Sequence, residues 1–332
     1  MSYEGILKRC FSNLDQGKQT KFLTYDNQAA TMLNFTAQSN IVNSLVTLVE
    51  GVHFLPNINS DDLAYKALVT SYSKLMAFGA TPLCFQCNIS MPSVNISWLR
   101  SFSVGLETCM TKYGGSLVGS SLVTGKRSIA ISVMGQVTFD TSTLGDNKIS
   151  VGDKIFVTGT LGDSGLALKR ILQAIPNDDT TSQYLEKCLM HPQIPLDFAV
   201  AARKYATAGV EILSGFSQDL DRVLSHHNLG ADIELEKIPL SPEITAIIER
   251  NAAYQCAFTG SDDCQLCLVV NPDDVNIIYD FARLYNTKVS CVGEIVPTTG
   301  LRVFDKHGDP FLVKRPDHDH FAILDELEGE EY

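Results

Sequence analysis

The segment Gly159-Thr160-Leu161-Gly162-Asp163-Ser164-Gly165 follows a predicted strand and opens a predicted helix. That arrangement aims unpaired backbone N–H groups outward and favours an anion at the helix start. No Gly-Lys-Ser/Thr closes the loop, and its spacing is not that of a dinucleotide fingerprint. It reads as a tight turn or a phosphate cradle, and the turn is the commoner use of such a sequence. Two cysteine pairs, Cys84 with Cys87 and Cys264 with Cys267, have metal-like spacing. Both lie in apolar, strand-like segments, where residues three apart face opposite sides, so core thiols are expected rather than a chelate. His226-His227 falls at a predicted helix end, and adjacent residues on a helix point apart, which argues against a ligand pair.

Those residues need elements to hold them. Leu63, Ala67, Leu68, Leu75 and Met76 recur at helical spacing over 62–79, with Asp62 as the expected N-cap and Gly79 as the stop. Trp98, Phe102, Leu106 and Met110 repeat the pattern over 95–113, which ends at Gly114-Gly115. Strands are expected at 41–49, 83–91, 116–120 and around Ile129, Ile131 and Val133. A polar stretch over 138–148 and the turn Val151-Gly152-Asp153 precede a strand at 154–158, and the domain boundary is placed there. In the second half, helices are expected at 164–174, 196–208, 217–225 and 273–284, with strands at 231–238, 265–270 and 288–295. The expectation is an α+β chain of two domains, 1–147 and 148–332, rather than a doubly wound sheet.

Composition sets outer limits. A chain of 332 residues, 45% hydrophobic, can bury two cores. It has no apolar run of the ~20 residues a membrane helix needs and no basic-then-apolar leader, so a cytoplasmic protein is expected. A formal charge of −12 repels a phosphate backbone and argues against nucleic acid as a partner. Surplus carboxylate of this kind marks a solvated surface or a cation site, and composition does not separate the two. Nine cysteines, an odd number without a leader, are expected to be mostly reduced and buried.

Three ordered segments carry a resemblance: Leu48-Val49-Glu50-Gly51-Val52-His53-Phe54, then Asp62-Leu63-Ala64-Tyr65-Lys66-Ala67, then Met76-Ala77-Phe78-Gly79-Ala80. Trp98-Leu99, Leu117-Val118-Gly119, the segment from Val157 to Ser164, Asp219-Leu220 and Asp319-His320-Phe321 continue it in one register. The chain resembles the thiamine-monophosphate kinases over nearly its whole length. The resemblance implies the fold shared with aminoimidazole ribonucleotide synthetase, with an N-terminal domain that dimerises by joining sheets into a β-barrel. It also implies ATP and Mg2+ at a cleft between the domains, thiamine monophosphate as the phosphoryl acceptor, and a homodimer. Two polyanions must meet in such a reaction, and carboxylate-held magnesium supplies the neutralising charge.

By the same resemblance, Asp26, Glu211, Asp219, Asp262 and Asp263 form the remaining metal shell, with Asp219 and Asp263 the catalytic members. Gly51, His53, Phe54 and His318 fall at substrate positions, and Lys74, Ser121 and Gly125 at nucleotide positions. His53 reads equally as a hydrogen-bonded histidine beside a strand, and His318 as part of a solvated acidic tail. The departures from the family pattern are concentrated at carboxylates. Ser44-Leu45-Val46 stands for Ser-Thr-Asp, Ser71-Tyr72-Ser73-Lys74 for Asn-Leu-Ser-Asp, and the segment from Gly119 to Gly125 for Gly-Gly-Asp-Thr-Thr-Arg-Gly. Glu211-Ile212-Leu213-Ser214-Gly215 stands for Asp-x-Ser-Asp-Gly, and Gly260-Ser261-Asp262-Asp263-Cys264-Gln265-Leu266 for Gly-Gly-Glu-Asp-Tyr-Glu-Leu. With so many ligands replaced, turnover is expected to be absent or strongly reduced. The other readings are a non-catalytic dimer that binds nucleotide or thiamine phosphate, or scaffolds a partner, and an activity on another small phosphorylated substrate. Lys74, where the family presents a carboxylate, is expected either to face solvent or to stand in for a metal ion beside a nucleotide phosphate.

Overall fold

A computed structural model describes residues 3–14, 23–27, 30–33, 39–138, 149–176 and 179–314. The first half builds a four-stranded sheet from β3 (Ser39–Val49), β4 (Thr81–Met91), β5 (Ser116–Thr124) and β6 (Ser128–Thr138) in the order β3-β6-β4-β5. Its pairs are antiparallel except β4 with β5. Ahead of it lie α1 (Tyr3–Cys10) and the hairpin of β1 (Leu23–Asn27) with β2 (Ala30–Leu33). One face of the sheet is covered by α2 (Ser60–Ala77) and α3 (Ile96–Tyr113). Asn95 caps α3 by accepting from the Trp98 N–H at 3.0 Å, and Gly114 and Gly115, both at positive φ, end it as expected.

The second half is a six-stranded sheet in the order β12-β9-β11-β7-β10-β8. Its strands are β7 (Lys154–Thr158), β8 (Ala206–Ile212), β9 (Gly230–Glu234), β10 (Gln265–Val270), β11 (Val289–Val296) and β12 (Gly300–Phe304). Only the β12–β9 pair is parallel. Its helices are α4 (Asp163–Leu172), α5 (Thr180–Met190), α6 (Leu196–Ala202), α7 (Phe216–His227), α8 (Pro242–Ile247), α9 (Arg250–Thr259) and α10 (Val275–Leu284).

Alternation along β7 and β10 divides the sheet between two cores. Phe156, Leu266, Leu268 and Val270 face a cluster shared with α2, α6 and α10, whereas Ile155, Val157, Cys267 and Val269 face a second cluster with α7 and α9. The two-sided pattern is the period-2 geometry of a strand buried on both faces. It also separates Cys264 from Cys267, which lie in different clusters. Because α2 lies between the first sheet and the second, it is buried on nearly every side. Where α3 crosses it, Gly105 has no room for a side chain: a Cβ would sit 2.0 Å from the Asp61 carbonyl oxygen.

Several expected boundaries move. The helix expected from Asp62 starts at Ser60 behind Asn59, so Asp61 and Asp62 sit in the first turn, where helix-end partial charge favours carboxylates. The helix expected over 196–208 is α6 followed by β8, because the small residues of Ala206-Thr207-Ala208-Gly209 find a ladder on β10 that local pattern does not reveal. The strand expected over 231–238 stops at Glu234, and Leu235–Lys237 forms a 3₁₀ turn. The α5, α8, α9 and β12 segments were not anticipated.

Candidate functional site

Two lysines on α2 reach across to the second half of the chain. Lys66 and Lys74 are eight residues apart, two turns and on one face of the helix. Lys66 Nζ lies 2.9 Å from Asp262 Oδ2, with only 8% of the Lys66 side chain exposed. Lys74 Nζ lies 3.4 Å from Glu211 Oε1, on β8. The same helix is fastened further by a side-chain contact between His191 Nε2 and Asp62 Oδ1 and by Arg203, which donates to the Gly79 carbonyl at 3.4 Å. Asp262 is held at φ +69, a conformation that L-residues seldom adopt and that fixes its side chain beside Lys66.

Glu211 belongs to a larger group. Asp219, in the first turn of α7, accepts N–H donors from Leu213 at 2.7 Å and Ser214 at 2.8 Å through Oδ2. Its Oδ1 accepts from Arg222 Nη2 at 3.1 Å, and that nitrogen also lies 3.6 Å from Glu211 Oε1. Arg222 and Lys74 therefore converge on one oxygen. Burial pushes the Asp219 carboxyl up to about 6, against the pull of the two amides and Arg222.

The glycine loop aims two backbone amides at one position, and a carboxyl group of the chain itself fills it. Asp263 Oδ2 accepts from the Gly162 N–H at 2.8 Å and Oδ1 from the Ser164 N–H at 3.3 Å, at the start of α4. Burial raises the Asp263 carboxyl well above the usual carboxylate range. Gly162 has φ +90, and a Cβ there would lie 2.7 Å from the Ala257 nitrogen, so only glycine fits the turn. Beside the loop lies a cavity of about 350 Å³ walled by Thr160, Tyr184, Lys187, His191, Gln193 and Lys288.

The remaining site residues keep local company. Gly51, at φ +83, donates its N–H to the Phe54 carbonyl at 2.8 Å, and Phe54 is buried in the shared core. His53 Nδ1 accepts from the Val49 N–H at 3.2 Å, the geometry of a histidine bonded to the end of its own strand. Ser121 donates to Asn88 across the β4–β5 pair, and the Gly125 N–H donates to the Met91 carbonyl at 3.1 Å. None of these contacts reaches the ion-paired group. Asp26 falls on β1 opposite Thr31, and His318 lies outside the described residues, as do Asp319, His320 and Phe321.

Magnesium takes near-octahedral oxygen ligation and needs open carboxylate lone pairs. Here Asp263 gives both oxygens to backbone amides, Asp219 gives its oxygens to two amides and Arg222, and Glu211 and Asp262 face cationic nitrogens. Among the described residues no group of three or more His, Cys, Asp or Glu is arranged to hold a metal ion. Among the described residues, these carboxylates are held by amides and cations and are not gathered as the magnesium centre that the resemblance implies. Sequence reasoning named Lys74, Glu211 and Asp219, and the fold brings them together; it missed Lys66 and Arg222. The signal for Lys66 was a lone cation among apolar neighbours on a core helix, and for Arg222 its i+3 spacing from Asp219.

Comparison with known proteins agrees with this architecture. Residues 26–137 match the family described as AIR synthase related protein, N-terminal domain, and residues 150–306 match the corresponding C-terminal domain. A thiamine-monophosphate kinase of Buchnera aphidicola subsp. Acyrthosiphon pisum is 32% identical over 278 residues, covering 83% of this chain and 85% of the relative. The crystal structure of thiamine-monophosphate kinase from Stenotrophomonas maltophilia K279a superposes with a TM-score of 0.84 at 25% identity, covering 88% of this chain and 94% of that one. A structure of AaThiL complexed with AMPPCP and TMP shares the fold at a TM-score of 0.74 and 22% identity, covering 86% and 87%. With both halves matched in order and a relative this similar over most of its length, the chain belongs to the thiamine-monophosphate kinase family.

Proposed function

We propose that this chain is a family member whose kinase reaction, from ATP and thiamine monophosphate to ADP and thiamine diphosphate, is lost or strongly reduced. The observation that carries the reading is the convergence of Lys74 and Arg222 on Glu211 Oε1, at 3.4 and 3.6 Å. A cation fixed at a carboxylate competes directly with a divalent ion for the same lone pair, and magnesium-assisted phosphoryl transfer loses its scaffold. The ligands follow from the family: AaThiL is complexed with AMPPCP and TMP, and the same two compounds are the ligands to test here. In this reading Asp219 and Asp263 organise backbone amides instead of acting on phosphate.

The alternative is a non-catalytic dimer. In either reading, dimerisation is favoured by the outer face of the first sheet, where Asn43, Leu45, Thr47, Ser132 and Met134 present no charge and Leu45 is 64% exposed. A charge-free sheet face with a long open edge strand suits pairing with a second copy, which is the barrel the family resemblance implies. A cytoplasmic location and a division of the chain at 147/148 belong to the same reading. No helix among the described residues is long and apolar enough to cross a membrane.

A coupled assay with ATP, thiamine monophosphate and magnesium, run beside calorimetry with each ligand, tests the proposal. Binding without product formation is the expected result. Turnover at the ordinary kinase scale of about 1–100 s⁻¹ refutes the loss of activity.

A further inference from the structure

The ion-paired group at the junction of α2, β8 and α7 is layered. The carboxylates lie beneath, with side chains only 12% exposed at Glu211 and 1% at Asp219, and the cations lie above, 32% exposed at Lys74 and 56% at Arg222. A set of two acids and two bases with this order presents positive charge to solvent although its formal sum is zero. The contacts are also incomplete. Lys74 approaches Glu211 at 3.4 Å, longer than the ~2.7–2.9 Å of a saturated charge-assisted bond. Arg222 makes both of its acidic contacts through Nη2, so the far edge of the guanidinium faces outward. A planar fork with open donors beside an ammonium is a fit for phosphate oxygens.

We propose that Lys74 and Arg222 form a metal-independent binding site for the terminal phosphates of a phosphoanhydride such as ADP or ATP. Glu211 and Asp219 hold the two cations in place from below and fix their spacing. The inference rests on the reading that this chain takes a nucleotide, and it adds that two side chains supply the charge that magnesium would otherwise provide. Lys74 comes from the first half of the chain and Arg222 from the second, so a bound phosphate would also join the halves.

Calorimetry on the full chain with ADP and with inorganic tripolyphosphate, each in EDTA and in millimolar magnesium, tests it. Dissociation constants within about threefold of each other with and without magnesium are expected, because one metal contact is worth far more than that. Arg222→Ala and Lys74→Ala should each weaken binding in EDTA roughly tenfold, and Lys74→Arg should restore it, with unfolding midpoints measured alongside to show that each variant is folded at the assay temperature. Binding that appears only with magnesium, or that both alanine variants leave intact, overturns the metal-independent site while the nucleotide reading stands. Absence of ADP binding under both conditions overturns the nucleotide reading and this site with it.

Discussion

Asp219 has the most informative chemistry among single residues. Its folded carboxyl is raised to about 6 from 3.8 by burial, so the folded chain binds a proton that the unfolded chain releases. Stability is therefore greatest below the unfolded value and falls as pH rises from about 4 through 6, the opposite of an aspartate whose partners outweigh its burial. The component lost is on the order of 3 kcal/mol at most. Denaturant unfolding at pH 5 and pH 7.5 should show it, and Asp219→Asn, which keeps an acceptor for Leu213 and Ser214, should flatten the difference. A second residue-scale expectation concerns Lys66. Replacing it with Met leaves Asp262 facing the core boundary without its cation and should cost about 1–2 kcal/mol, most of it recovered when Asp262→Asn is added. Glu211, Asp219 and Lys74 were legible in the sequence because their neighbours follow a known pattern. Arg222 was not, because its partner on β8 lies eleven residues earlier, across a turn that sequence spacing does not encode.

At the scale of elements, the loop before α4 shows how one motif serves two readings. The glycines form a tight turn whose amides converge, and Asp263 accepts from them from a distance of about a hundred residues. Only tertiary structure supplies that partner. Asp263→Ala removes an acceptor from two buried amides and should cost about 2 kcal/mol, with Asp263→Asn costing less. Gly162→Ala meets backbone at 2.7 Å with φ +90 and should destabilise by at least as much. Thermal unfolding of the three variants orders these effects. Helices α2 and α3 and strands β3, β4, β7 and β10 were readable from periodicity, because each has a strong apolar face or run. Strand β8 was not: its alanines and glycine favour no ladder locally, and its pairing with β10 decides the matter.

For the whole molecule, the burial of α2 between two sheets joins the halves through one continuous core, with Lys66, Lys74 and Asp62 fastening its polar positions to the second half. The outer face of the first sheet remains free of charge along β3 and β6; if the proposed dimer forms through it, light scattering should find a dimer for the unaltered chain and a folded monomer for Leu45→Asp. The mixed two-sheet architecture was readable from the sequence, whereas the depth of packing between its halves was not, since no local pattern reports what covers a helix on its second side. The proposed loss of magnesium-driven phosphoryl transfer rests on Lys74 and Arg222 standing beside Glu211 Oε1, in competition with the metal. Its most direct measurement is the rate of thiamine diphosphate formation by the purified chain as magnesium is raised from zero to tens of millimolar. A flat profile at background is the expected result; a magnesium-dependent rise to a turnover of about 1 s⁻¹ or more contradicts it.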